Sequence, residues 1–150
     1  MDEANDYLAQ IAQLNRQIVV AGGPSHSAPD LEDQRDVLLD RLSALVSVRV
    51  LDRNNGAIAV VAGDTLLVDE AGAQRLAVRS VPGGLGVGIE LGTGTISLGA
   101  GQLDALSRFV TTTVPAIVAG LDRLASSLVA EVNAIHRSGY TANGDTGTDF

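Results

Sequence analysis

The sequence predicts an α+β protein, an elongated bundle of long antiparallel helices with a small inserted antiparallel β-sheet. Three observations lead there. Apolar residues recur at spacings of three and four near both ends of the chain, the period of a one-sided helix. Between them, short β-rich runs alternate with Gly- and Asp-rich turns. At 150 residues the chain is long enough for a single module that buries roughly 70% of the surface its unfolded form exposes.

The first helix is expected over about residues 3–21, because Ala4, Tyr7, Ile11, Leu14 and Ile18 stack along one narrow stripe. It should stop in "AGGPSHSAP", where paired glycines and two prolines cannot continue helical hydrogen bonding. A second helix, about 31–46, follows Asp30 as its N-cap, with Glu32 and Asp33 in the first turn facing the positive end of the helix dipole. Leu31, Leu38, Leu42 and Leu45 form its expected inner face.

The β section is expected over about 47–98. "VRVLDRNNGAIAVV" is two β-rich runs around Asn55-Gly56, a pair that tolerates the positive φ of a tight hairpin. Further strands are expected at residues 66–68, 76–81, 87–91 and 95–98 of one small sheet. Helical spacing then returns over about 101–138, carried by Leu103, Leu106, Val110, Ile117, Leu121, Leu124, Leu128, Val132 and Ile135. Pro115 interrupts it, either as a kink or as a restart capped by Thr112 or Thr113; the unbroken phase of the apolar stripe favours the kink. The first and last helices form the expected antiparallel pair, and residues 139–150 a connector.

Composition narrows the function. The chain is 45% hydrophobic but only 3% aromatic, without Trp, so stacking platforms for bases or sugars are nearly absent. Its net charge is −8 and its ten basic residues, all Arg, are scattered, which argues against nucleic acid and anionic membranes as partners. It contains no Cys, so disulfides, thiolate metal sites and thiol nucleophiles are excluded. No apolar run approaches the roughly 20 residues of a membrane span, and the opening "MDEANDYLAQ" is acidic where a secretory signal is basic.

Candidate sites are few. The tail "NGDTGTD" invites comparison with a Ca²⁺ loop, with Asn143, Asp145 and Asp149 as ligands. The acidic set before Gly147 is incomplete and no bidentate Glu follows, so a solvated turn is favoured over a cation site. His26 lies in a Pro-flanked loop, and His136, near a helix C-terminus, fits a role toward the last carbonyls and the dipole. "PGGLGVGIELGTGTIS" lacks the strand-turn-helix order of a phosphate loop and is read as turns and bulges. Glu32, Asp33, Asp36 and Asp40 are interleaved with Arg35 and Arg41 and read as a solvated charged face rather than a catalytic carboxylate set. No Ser stands in a nucleophile-elbow context. No cofactor and no enzymatic activity are expected.

Taken in order, the motifs resemble the flagellar hook-associated protein 1 family. They are the helix "NDYLAQIAQLNRQI", then "DLEDQRDVLLDRLSALVSVRV", a β section with "GDTLLV", and "LDRLASSLVAEVNAIHRSGYTANGDTGTDF". The family's Asp-x-x-Asp-Gln-Arg-Asp core is matched by Asp30, Asp33, Gln34, Arg35 and Asp36. Its Asn-x-x-His-x-x-Gly run into an Asn-Gly loop and an Asp-Phe pair is matched by Asn133, His136, Gly139, Asn143, Gly144, Gly147, Asp149 and Phe150.

The resemblance implies a structural part of the bacterial flagellum that joins hook to filament, with the hook protein, hook-associated protein 3 and neighbouring copies of itself as partners. It implies export by the flagellar type III apparatus without a cleaved signal peptide, and an extracellular location. It also implies that this chain is an internal piece lacking the terminal axial helices and an outer domain, and so monomeric by itself. The rival from another class is a calcium-binding extracellular module using the Asn/Asp/Gly tail.

Overall fold

The fold is known from a computed structural model and is described for residues 1–22, 28–82, 84–147 and 149. Its backbone contacts divide the chain into two compact units, Met1–Thr111 and Thr112–Phe150.

In the first unit, α1 (Asp2–Gly22) and α2 (Pro29–Leu45) pack together. Arg35 reaches Asn15, while Arg41, farther along α2, acts on Tyr7, earlier in α1, so the two helices run antiparallel. The pairing expected for the first helix was with the last, which belongs to the other unit; within the first unit α1 packs on α2. The reason is the breadth of the buried stripe. Ala4, Leu8, Ile11, Ala12, Leu14 and Ile18 are all buried, a face wide enough to cover both a helix and a sheet. Tyr7 sits half-buried at its margin. Its hydroxyl donates to Glu3 Oε1 at 2.7 Å, and this bond, with desolvation as a smaller cause, raises the phenol above its usual range.

Helix α2 begins one residue before the Asp30 expected to cap it. Pro29 takes the first helical position, where a missing N–H costs nothing and the fixed φ is already helical. Ala28 is the N-cap and makes no side-chain bond. Glu32 lies in the first turn as expected and Asp30 joins it there in place of Asp33, both meeting the positive end of the dipole. Leu38 and Leu42 are buried, whereas Leu31 and Leu45 are only partly covered. Residues 23–27, where a loop carrying His26 was expected, lie outside the described residues.

The β section forms two sheets rather than one. Strands β1 (Arg49–Asp52), β2 (Ile58–Ala62) and β3 (Thr65–Val68) make an antiparallel sheet in that order; β4 (Leu76–Val81) and β5 (Gly84–Ile89) make a separate antiparallel pair. An Asp69 turn separates them, its Oδ1 accepting the N–H groups of Ala71 and Gly72. Only a single bridge, Val68 to Ala73, follows. In β2, Ile58, Ala59 and Val60 are buried in succession, so both faces of this central strand are covered. Leu8, Ile11, Leu42, Val46, Val60, Leu67 and Val68 are fully buried in one core that extends to Leu76, Val87, Ile96 and Leu98.

The hairpin at Asn55-Gly56 forms with a longer loop than the two-residue one expected. Arg53 N–H donates to the Ala57 carbonyl at 2.9 Å and Gly56 N–H to the Arg53 carbonyl at 3.2 Å. Gly56 alone has a positive φ, +83°, so this is a three-residue loop with a left-handed glycine, not a type I′ turn, which needs positive φ at two residues.

Within the glycine-rich stretch read as turns and bulges, residues 84–89 form strand β5, three residues earlier than the strand expected at 87–91, and pair with β4 over six residues. Its glycines, Gly84, Gly86 and Gly88, share one face of the pleat. A Cβ on Gly86 would press on Thr95, and one on Gly88 on the Gly94 carbonyl. The bare face lets residues 94–95 lie directly on the strand. Residues 95–98, expected as a further strand, form none; Ile96 N–H still donates to the Val87 carbonyl at 2.7 Å, and Ile96 and Leu98 are buried.

Helix α3 (Gln102–Arg108) leads into a π-helical turn, Phe109–Thr113. Thr113 is helical, with φ −70° and ψ −49°, and makes no side-chain cap, so no capped restart occurs. Pro115 has no N–H for the Thr111 carbonyl and would crowd it in a regular helix, which the wider π turn relieves. The turn's Thr111 hydroxyl donates back to the Ser107 carbonyl at 2.8 Å.

The second unit contains α4 (Val114–Ser138) and the turn after it. Gly139 follows the helix in extended conformation, and its N–H donates to the His136 carbonyl at 3.0 Å. Thr141 N–H then donates to the Asp145 carbonyl at 2.8 Å, and Gly144 N–H to the Thr141 carbonyl at 3.0 Å, with Gly144 at φ +87°. This repeats the Arg53–Ala57 loop geometry around the second Asn-Gly pair.

Two asparagines fix α1 to the sheets. Asn15 Nδ2 donates to the Ile58 carbonyl at 2.8 Å while its Oδ1 accepts the Ile58 N–H at 3.2 Å. Asn5 treats Leu76 the same way, at 3.0 and 2.7 Å. Each side-chain amide therefore supplies the donor and acceptor that a neighbouring strand would. Asn15→Leu keeps the size but leaves both Ile58 groups unpaired in the core. The expected loss is about 3 kcal/mol in urea unfolding; a loss under about 1 kcal/mol would show that the clamp matters little.

Candidate functional site

The first family-like motif lies on α2 and splits by direction. Asp30, Asp33, Gln34 and Asp36 are exposed, whereas Arg35 is 7% exposed. Its Nη1 donates to Asn15 Oδ1 at 3.1 Å and to the Gly56 carbonyl at 2.9 Å. The guanidinium thus joins α2, α1 and the β1–β2 loop through neutral acceptors. Arg35 was expected to neutralise the acidic residues beside it, but its head is spent inside the fold. Among the described residues no ion pair forms on α2; the pairs are Arg75–Glu90, Arg108–Asp104 and Arg137–Asp149.

The carboxylates of this motif do not converge. Asp33 and Asp36 stand on an open helix surface, which gives no shared cavity in which a substrate could meet them. The neighbouring groove, about 470 Å³, is lined instead by Gln10, Gln13, Gln17 and Gln34 around Leu14, Val37 and Leu38.

The second motif lies in the second unit. Asn133 and His136 are on α4, where His136 and Arg137 occupy the last turn, favourable to the helix dipole. Asn143 and Gly144 form the turn beyond Gly139. Of the three imagined calcium ligands, Asp149 pairs with Arg137 at 3.2 Å. Among the described residues no group of three His, Cys, Asp or Glu converges on a metal-sized point. The calcium reading finds no support in this geometry.

The residues that sequence inspection missed are Asn5 and Asn15. Asn15 falls in the buried series Ala4, Leu8, Ile11, Asn15, Ile18, and a lone polar residue inside a helical apolar stripe is the signal that would have found it.

Helix α4 presents a further surface. None of its described residues is buried. Leu121 is 61% exposed, Leu124 67%, Leu128 63% and Ile135 71%. By length and composition the helical run Gln102–Ser138 suffices to cross a membrane, contrary to the sequence expectation that no such run exists. Its character is one-sided, however. Asp122, Arg123, Ser126, Asn133 and Arg137 fall opposite Ile117, Leu121, Leu124, Leu128 and Ile135, the pattern of a helix that packs along one face.

A family model described as the helical domain of the flagellar hook-associated protein FlgK matches residues 1–150. The chain belongs to this family. Flagellar hook-associated protein 1 of Escherichia coli (strain K12) is 33% identical over 162 residues, covering 100% of this chain and 30% of the relative. That of Bacillus subtilis (strain 168) is 26% identical over 179 residues, covering 99% of this chain and 35% of the relative. The flagellar hook junction protein FlgK of Burkholderia pseudomallei is similar in structure, with a TM-score of 0.77 at 31% identity over 99% of this chain and 29% of its own. The chain thus spans about a third of the length of these relatives. Within this fold Arg35 is buried and hydrogen-bonded to α1 and the β1–β2 loop, whereas Asp30, Asp33, Gln34 and Asp36 of its motif are exposed.

Arg35→Ala should destabilise the protein by about 3 kcal/mol, from lost charge-assisted hydrogen bonds and a cavity. Asp33→Ala, on the exposed side of the same helix, should stay within about 0.5 kcal/mol. Combining Arg35→Ala with Asn15→Leu should cost less than the two summed, because they share a hydrogen bond. Urea unfolding of the three variants checks this; strict additivity would separate the two residues.

Proposed function

We propose that this chain is the helical-domain part of a structural flagellar subunit at the boundary between hook and filament. Family membership across all 150 residues carries the proposal. The proposed partners are neighbouring copies, the hook protein and hook-associated protein 3. The location is extracellular, reached through the flagellar type III apparatus without a cleaved signal peptide. No catalytic role is assigned.

Such a subunit works by holding its neighbours, which requires stiffness and surfaces that lose water on contact. The α1–α2 pair, clamped to the sheets by Asn5, Asn15 and Arg35, supports the first requirement. The exposed apolar face of α4 supports the second, since contiguous apolar surface marks a contact site. Its opposite polar face favours protein packing over a lipid span. With a net charge of −8, the chain is a poor partner for nucleic acid.

Antibody raised against this chain should label isolated flagella of the source bacterium as one band at the hook–filament boundary. Label along the filament, or none on intact flagella, would refute the placement. The chain alone is expected to be monomeric at micromolar concentration by light scattering; a stable ring or filament would contradict that.

A further inference from the structure

We propose that Asn143 is a site of spontaneous deamidation, and that Asn55, also followed by glycine in the same kind of turn, is protected by its side-chain hydrogen bonds. The chemistry needs no enzyme. The Gly144 backbone nitrogen attacks Asn143 Cγ, the new N–Cγ bond forms, the Cγ–Nδ2 bond breaks, and ammonia leaves. Water then opens the cyclic imide at either carbonyl to give aspartate or isoaspartate. A following glycine favours the attack because it has no Cβ to obstruct the approach.

Both Asn residues are exposed, and in both turns the glycine N–H is held by the carbonyl three residues back, at 3.2 Å for Gly56 and 3.0 Å for Gly144. Exposure and backbone closure therefore do not distinguish them. The side chains do. Asn55 Oδ1 accepts the Ala57 N–H at 3.2 Å, and its Nδ2 donates to Glu70 Oε1 at 3.0 Å. Gly56 is held further by Arg35, which donates to its carbonyl at 2.9 Å. To reach the glycine nitrogen, the Asn55 carboxamide must first release both partners.

Asn143 has no such restraint: among the described residues its carboxamide makes no hydrogen bond, and only its backbone N–H is engaged, by Thr141 Oγ1 at 3.3 Å. Rotation of its side chain toward Gly144 breaks nothing. The product carries one more negative charge, on the same turn as Asp145 and six residues before Asp149 of the Arg137–Asp149 pair. The isoaspartate form also adds a methylene to the backbone at the left-handed Gly144.

The experiment incubates the chain at mildly alkaline pH and follows its tryptic peptides by mass spectrometry, residues 54–75 reporting Asn55 and 138–150 reporting Asn143. In the folded protein, conversion at Asn143 should run at least about tenfold faster than at Asn55, where two hydrogen bonds must open first. In urea the two rates should converge, because the tethers are gone. Glu70→Ala, an exposed change, should accelerate Asn55 and leave Asn143 unaltered. Equal rates in the folded protein, a difference that persists in urea, or a Glu70→Ala variant with no gain at Asn55 would each overturn the proposal.

Discussion

The hydrogen-bonded contact of Arg35, Asn15 and the β1–β2 hairpin is the constraint on which the first unit depends. Aliphatic packing alone is tolerant: Leu, Ile and Val sidechains slide past one another at small cost if volume is kept. A buried amide is not. Asn15 satisfies both backbone groups of Ile58 and accepts from Arg35, so any other placement of α1 on β2, or of α2 on α1, strands the buried backbone groups of Ile58 or the Asn15 amide. Asn5 repeats the device at Leu76. Two fixed points on a single helix, about 15 Å apart along its axis, set both its position and its direction over the sheets.

The second sheet is held by a different means. Its strand β5 carries glycine at every second residue, and on that bare face the chain after the strand lies against the backbone itself. The other face contributes Val87 to the common core. A strand that is poor by propensity is thus retained because close approach, rather than side-chain packing, is what the position requires. The two mechanisms are complementary: polar clamps where a helix crosses strands, and absent side chains where loop meets strand.

Both devices lie in the first unit, and the two units differ in what they expose. The first turns carboxylates and glutamines outward. The second contains a helix with exposed leucines along one side and Asp122, Arg123, Ser126, Asn133 and Arg137 on the other. The buried Arg35 and exposed Asp33 sit two residues apart within one motif yet serve different ends, one inside the fold and one at its surface.

Periodicity in the sequence determined where helices form, and the order of its motifs determined the family. Asn-Gly pairs marked two of the turns, because few residues other than glycine enter the left-handed region cheaply. Tertiary structure decided the rest. Whether a stripe of leucines is buried depends on what meets it, so Leu38 and Leu121 read alike but end differently. The break into two sheets, the strand made of alternating glycines, and the inward turn of Arg35 each depend on contacts between residues distant in the chain. Local propensity carries no record of such contacts, and so only the folded arrangement, in which every buried polar group must find a partner, could choose among them.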